Sequence, residues 1–221
     1  MEKFVMSHEF SHPPAGGHIS ITPTILYFGT PVALVTTLNP DRTPNISPMS
    51  SAWALSDRVV LGMSRTSMGR ENAVRERELV VNFPSSDLWP RVEAIARATG
   101  RVSVPPHKAK IGYEFEPDKF ARSGFTPQIS ETVQPPRIAE CPIQFEAEVV
   151  AVHEPGADWP AGPEGRFQII ETKVTRVHAH RAIVIPGTSH IDTGKWSPLL
   201  YVFRHYFGTG PDLGRTFKSE T

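Results

Sequence analysis

The stretch "PVALVTTLNPDRTPNISPMSSAWALSDRVVLGMS", residues 31–64, decides the fold. Three apolar or β-branched runs, 31–38, 45–56 and 58–64, are separated by the turn formers of 39–44 and by Ser56–Asp57. Such runs, bounded by Asn, Pro, Asp and Ser, read as strands. Links this short hold no crossover helix, so the three strands are expected to form an antiparallel meander. In the middle strand Pro48 lacks a ladder N–H, which puts that strand at an edge or in a bulge. Asn45, Ser47, Met49, Ser50, Ser51, Ala52 and Trp53 surround the proline, where a pure core strand would be smoothly apolar. Exposed backbone groups, small hydroxyls, a thioether and an indole suit the rim of a planar heteroaromatic ligand. They suit an irregular edge strand with polar outward residues equally well.

Immediately downstream, "SRTSMGREN" (64–72) leads out of a strand and into a short amphipathic helix over 69–78. The hydroxyls of Ser64, Thr66 and Ser67, free backbone N–H groups and the positive end of the helix dipole all converge there. Arg65 and Arg70 add charge-assisted donors that match phosphate oxygens. The plainer reading makes Ser67 the helix cap and leaves both arginines solvated. The glycine signatures of dinucleotide and triphosphate sites, G-x-G-x-x-G and G-x-x-x-x-G-K-[ST], are absent from the chain.

Further out, "LVVNF" (79–83) reads as a buried strand and "SDLWPRVEAIARAT" (86–99) as a helix with Ser86 or Asp87 as N-cap and Pro90 in its first turn. Residues 101–137 are rich in proline and without a persistent period, so a long loop is expected, with a helical turn near 107–113; loops of this length are usually functional or cover something. Strands return at 142–154 and 166–185. In the second, strict alternation puts Ile170, Thr172, Val174, Arg176, His178 and His180 on one face. The tail from 194 to 210 is aromatic and basic, too apolar for loose solvated chain, whereas residues 1–24 form an irregular lead-in. Six or more strands with a few short helices predict a mainly β, antiparallel barrel in one domain, 1–221.

The totals agree. The chain has 221 residues, and 23 Lys+Arg balance 23 Asp+Glu, so the basic excess of a nucleic-acid or membrane-surface binder is missing. No apolar run is long enough to span a membrane, and the N-terminal residues lack a signal peptide's apolar stretch, which makes the cytoplasm the expected location. The single cysteine, Cys141, excludes an intrachain disulfide and reads as a small core residue. His178 and His180 share a strand face, as metal ligands often do, but no third ligand is spaced for them and Arg176 and Arg181 would repel a cation. A surface-facing pair is the expectation, and no metal site is assigned.

Taken in order, four stretches resemble the flavin reductase-like family of FMN-binding split barrels, relatives of pyridoxamine-phosphate oxidase. They are residues 31–64 quoted above, "SRTSMGREN…ELVVNF", "PPRIAECPIQFEAEVV" and "KWSPLLYVFRHYFG", and together they span about residues 25–210. The resemblance implies an antiparallel, Greek-key split barrel with short peripheral helices. It implies an FMN ring along Ser47–Trp53, with the FMN phosphate on Ser64–Ser67 and Arg70, and it puts Asn82 where the family often lines the flavin site. Hydride would come from NAD(P)H, as in a flavin reductase. His205 and Tyr206 are the candidates for stacking on nicotinamide or flavin. A homodimer and a separate flavin-dependent oxygenase as partner are further implications. An FMN electron carrier without NAD(P)H turnover, or a split barrel that has lost flavin, are the alternatives.

Overall fold

The computed structural model describes residues 17–156 and 167–217. Residues 1–16 of the expected lead-in lie outside that range; residues 17–24 carry no strand or helix and are exposed. The first half contains β1 (Phe28–Pro31), β2 (Ala33–Leu38), β3 (Pro44–Met49), β4 (Ala52–Leu55), β5 (Arg58–Ser64), α1 (Met68–Glu76) and β6 (Glu78–Phe83). A single-turn 3-10 helix at Ser86–Leu88 then runs into α2 (Trp89–Ala94). Neither Ser86 nor Asp87 caps α2, because the chain is already helical through that turn and the residue before the helix is Leu88. The expected long loop is irregular but holds short elements. The pair β7 (Ala98–Thr99) and β8 (Glu114–Phe115) encloses α3 (Pro106–Ala109), α4 (Lys119–Ser123) follows, and β9 (Pro127–Gln128) pairs with β10 (Arg137–Ile138). The second half contributes β11 (Ile143–His153), β12 (Phe167–Ala179), β13 (Leu200–Val202) and β14 (His205–Phe207).

Seven strands make one antiparallel sheet in the order β3-β2-β6-β11-β12-β5-β4. The expected meander fails at one point. Residues 45–56 are two strands, and β3 and β4, joined only by Ser50 and Ser51, lie on opposite edges of the sheet. A sheet whose two edges are consecutive in sequence must curl until they meet. The result is the split barrel that the resemblance implies. Pro48 sits where its missing N–H costs nothing, on an edge strand that among the described residues pairs only with β2. The join is stitched on the other side by the Gly62 N–H to the Ser51 carbonyl at 2.8 Å and by the Ser51 hydroxyl to the Gly62 carbonyl at 2.6 Å.

The barrel interior is filled by alternate residues of these strands, among them Val35, Leu61, Val81, Ala147 and Ile170. A second core, with Leu34, Ile46, Ile95, Phe120 and Cys141, lies between the sheet's other face and the segment from α2 to β10. Cys141 is buried there, and burial raises its thiol pKa far above the usual value, as expected for a packing residue.

The strict alternation expected for 166–185 does not hold. Opposite Glu146 and Ala147 the register jumps from Arg176 to Val174, so Thr175 is an extra residue, a β-bulge. Val174 and Thr172 pair with the inward Ala147 and Val149, whereas Arg176 and His178 pair with Glu146 and Gln144 on the outer face. His178 and His180 stay on that outer face and line one cleft, but His178 is mostly buried and each ring is already engaged. His178 Nε2 lies 2.7 Å from an oxygen of the fully buried Glu146, while His180 Nε2 lies 2.9 Å from the Ala139 carbonyl.

Candidate functional site

Where the two sheet edges meet, the chain leaves a cavity of about 200 Å³. Ser47, Pro48 and Met49 of β3 form one side, and Gly62, Met63 and Ser64 at the end of β5 form the next. Ser67 and Met68, where α1 begins, close the third. Local chemistry explains each placement. Ser67 is the N-cap of α1 and accepts from the Arg70 N–H at 3.2 Å. The Ser64 and Thr66 hydroxyls lie 3.0 Å apart, and the Ser67 N–H donates to the Ser64 carbonyl at 3.0 Å, which folds 64–67 into a tight turn. Asn45, buried in β3, donates to the Ser47 hydroxyl at 3.2 Å and fixes its direction. A Cβ at Gly69 would collide with that same hydroxyl, so glycine is what allows α1 to start against β3.

The remaining wall comes from the segment after α2. Thr99, Gly100, Lys108, Tyr113 and Lys119 face the cavity, and the Lys108 ammonium sits 5.7 Å from the centre of the Tyr113 ring. Lys119 is 4% exposed, and its Nζ donates to the Ile46 carbonyl at 2.8 Å. Burial, with the nearby Lys108 charge adding to it and Glu116 opposing, pushes the Lys119 pKa down to about 7. Burial and then Arg101 lower that of Lys108 as well. Among the described residues no Asp or Glu lines this cavity. The nearest acidic group on α1, Glu71 in the first turn, is paired with Arg101, whose Nε also donates to the Thr66 carbonyl at 2.7 Å. Two lysines, four hydroxyls and a helix N-terminus thus surround a space without a counter-charge, an arrangement that selects an anion.

Past Pro48, Met49 and Ser50 the cavity opens into a wider cleft of about 670 Å³. Tyr27, Tyr113, Tyr201 and Tyr206 line it, with Arg97 and Arg204 at its sides. Tyr201 stands 5.5 Å from Tyr27 and 5.6 Å from Tyr206, centre to centre. The Tyr206 hydroxyl donates to Glu93 at 3.0 Å; burial and that bond hold its pKa well above the usual phenol value.

Of the residues singled out from sequence, Ser47, Pro48, Met49, Ser64 and Ser67 meet at the inner cavity, and Met49, Ser50 and Tyr206 line the outer cleft. The others go elsewhere. Ser51 stitches the barrel seam and Ala52 is in the core. Trp53 is 57% exposed on the outside of the edge strand β4. Arg65 pairs with Glu154 at 2.9 Å, and Arg70 bonds to Gln168. Thr66 turns its hydroxyl to Ser64. Asn82 is fully buried within β6, where it donates to the Leu34 carbonyl and accepts from the Ile138 N–H, both at 2.9 Å. That amide holds the 136–141 segment on the sheet and does not reach the cavity. His205 is exposed, outside both cavities. Sequence reasoning missed Lys108, Lys119, Arg101 and Tyr113; the one signal for the lysines was their position in a long loop expected to cover something.

The comparisons with known proteins run the same way. The flavin reductase like domain family matches residues 25–210. The uncharacterized protein YdfE of Bacillus subtilis (strain 168) is 46% identical over 201 residues, covering 91% of this chain and 94% of its own length. The solved flavoredoxin of Desulfovibrio vulgaris (Miyazaki F) is similar in fold, with a TM-score of 0.73 at 18% identity over 93% of this chain and 100% of that one. Nitrilotriacetate monooxygenase component B from Bacillus cereus is similar at a TM-score of 0.71 and 17% identity, over 91% of this chain and 100% of that one. A match that takes in both sheet edges, the 64–67 turn and the outer cleft leaves one assignment: the chain belongs to the flavin reductase like domain family.

Proposed function

We propose that this member of a flavin-related oxidoreductase family binds FMN in the inner cavity and reduces it with NAD(P)H, as a flavin reductase contained in one domain. The observation that carries the reading is the inner cavity itself, which offers Lys108, Lys119 and the hydroxyls of Ser47, Ser64, Ser67 and Thr99, with no acidic residue among the described ones. These residues fit a phosphate-bearing ring. Ser64, Ser67, the start of α1 and the two ammonium groups suit the phosphate, and the Ser47–Ser50 edge suits the rim of the ring. FMN, when bound, supplies the hydride chemistry. The chain's own work is to bind, orient and shield. Asn45 fixes the Ser47 hydroxyl, Arg101 neutralises Glu71 so that no carboxylate repels the phosphate, and the 100–119 segment covers the site from solvent. Tyr206 and Tyr201 line the outer cleft where a nicotinamide ring would approach.

A cytoplasmic homodimer that hands reduced flavin to a separate oxygenase completes the proposal. Nitrilotriacetate monooxygenase component B, one part of a monooxygenase, supports the oxygenase partner by its likeness in fold. The absorption spectrum of the purified protein is the first test, and a flavin spectrum is expected. Anaerobic addition of NADH or NADPH is then expected to bleach it. Retained flavin that neither nucleotide bleaches would make the protein an electron carrier. Protein that is colourless and takes up no added FMN would have lost flavin altogether.

A further inference from the structure

The β13–β14 hairpin turns through two residues, Phe203 and Arg204, between the paired Val202 and His205. Their φ angles are 42° and 73°. A two-residue loop with positive φ at both positions is a type I′ turn, whose low-energy sequence is Asn-Gly. Two side chains as large as Phe and Arg hold that geometry under strain. Arg42, Ser56 and Arg77 also have positive φ, but each stands alone at a turn or helix end, where one left-handed residue is ordinary. Among the described residues only 203–204 places two non-glycine residues of this kind in succession.

The turn is held from outside. The Phe203 N–H donates to the Tyr27 carbonyl at 2.7 Å, and β13 is paired on both edges, with β1 and with β14. What the unfavourable sequence adds is Arg204, whose side chain lines the outer cleft with Tyr27, Tyr201 and Tyr206, facing the side that carries Arg97. Arg204 pairs with no carboxylate among the described residues; its one bond is to the Thr24 hydroxyl, at 3.4 Å. Among the described residues, Arg97 has no side-chain hydrogen bond or ion pair, and the only acidic group lining the cleft, Glu93, is bonded to Tyr206. The Asn-Gly that the turn favours would leave this side of the cleft with aromatic rings and no charge.

We propose that Arg204 is the specificity-determining residue of the outer cleft. It reads the anionic group of a second ligand, one that joins a planar ring to a phosphate or carboxylate and stacks that ring on the tyrosines beside the inner cavity. The proposal rests on the reading that flavin fills the inner cavity. Two sources share this chemistry, a nicotinamide dinucleotide and a free aromatic carboxylate.

Calorimetric titration of the flavin-bound protein with NAD+, which has no hydride to give the flavin, and, separately, with benzoate tells the sources apart, the tighter-binding probe naming the source. Arg204→Gln is expected to weaken binding of that probe at least tenfold with flavin content unchanged. Phe203→Asn, which keeps the arginine, is expected to bind it as the parent does. The double variant Phe203→Asn/Arg204→Gly is expected to melt about 2–4 °C higher once the turn is relaxed, yet to lose the probe like Arg204→Gln. Binding of neither probe by the parent protein overturns the proposal, and so does unchanged binding in Arg204→Gln, the variant that decides if the double substitution does not fold. Absence of flavin from the parent protein would sink the inner-cavity reading instead, and the same titrations on flavin-free protein still report on Arg204.

Discussion

Lys119 is a buried ammonium whose direct partner is a backbone carbonyl, and its cost and its use are one property. Its pKa is about 7 in the folded chain and about 10.5 when unfolded. The unfolded chain therefore binds the extra proton between those values, and stability of the flavin-free protein rises as pH climbs from about 7 towards 10.5. Lys119→Met removes the penalty. Below pH 7 it is expected to raise the melting temperature of the flavin-free protein, by roughly 5 °C, while weakening FMN binding at least tenfold. Thermal melts and FMN titrations at pH 6 check both halves; lower stability with undiminished affinity would make Lys119 a mere strut. Ser67→Ala is expected to cost about 1 kcal/mol of folding stability because it removes a helix cap, whereas Ser64→Ala leaves folding nearly unchanged and weakens FMN about tenfold. The serines were legible because hydroxyls between a strand and a helix have few uses. Lys119 was not: a lysine in a proline-rich stretch looks solvated until α4 is seen packed under β3.

Among the elements, β11 and β12 carry the most instructive difference between pattern and structure. Each contains an extra residue, Val150 and Thr175 respectively, and the second turns Arg176 and His178 to the outside. Alternation cannot announce a bulge, since the inserted residue is as good a strand former as its neighbours. The bulge leaves Glu146, fully buried, to anchor the loop over the sheet's outer face. Burial alone would raise its pKa, but N–H groups of Glu131 and Thr132, the Thr132 hydroxyl and His178 outweigh that and bring it down to about 2. A carboxylate held below its unfolded value of 4.5 contributes stability at higher pH that is lost as pH falls from about 4.5 to about 2. Glu146→Gln is therefore expected to melt several degrees lower at pH 7 and to match the parent protein near pH 2–3. Equal offsets at both pH values would deny the anchor. Asn82 belongs to the same clasp. The resemblance made it a flavin residue, whereas its amide faces the outer layer and serves the fold.

At the scale of the whole molecule, the class of fold was readable because order and spacing of short strands survive local errors. The crossing from β3 to β4 was not, since two serines in an apolar run look like a pause within one strand. That crossing leaves β4 as an edge with Trp53 57% and Leu55 70% exposed on one face, near the 79% exposed Phe28 of β1. On the proposed homodimer this is the face expected to be covered. Trp53→Glu/Leu55→Lys is expected to shift the sedimenting species to a monomer, and an unchanged profile would exclude β4 from the contact. The seam at Ser50–Ser51 bears on folding as well. β5 finds its partner β12 only after the chain has passed through α1, β6 and β11, so the edges come together late in a topology dominated by distant pairings. A ligand seated on Ser47–Ser50 and Ser64–Ser67 grips both lips of that closure and adds its binding free energy to the closed state alone. Amide hydrogens of β4 should then exchange with solvent fastest in the empty protein and slow when FMN is added. The cofactor would act as the last piece to fold in, its supply helping to set how much of the chain is closed at any moment.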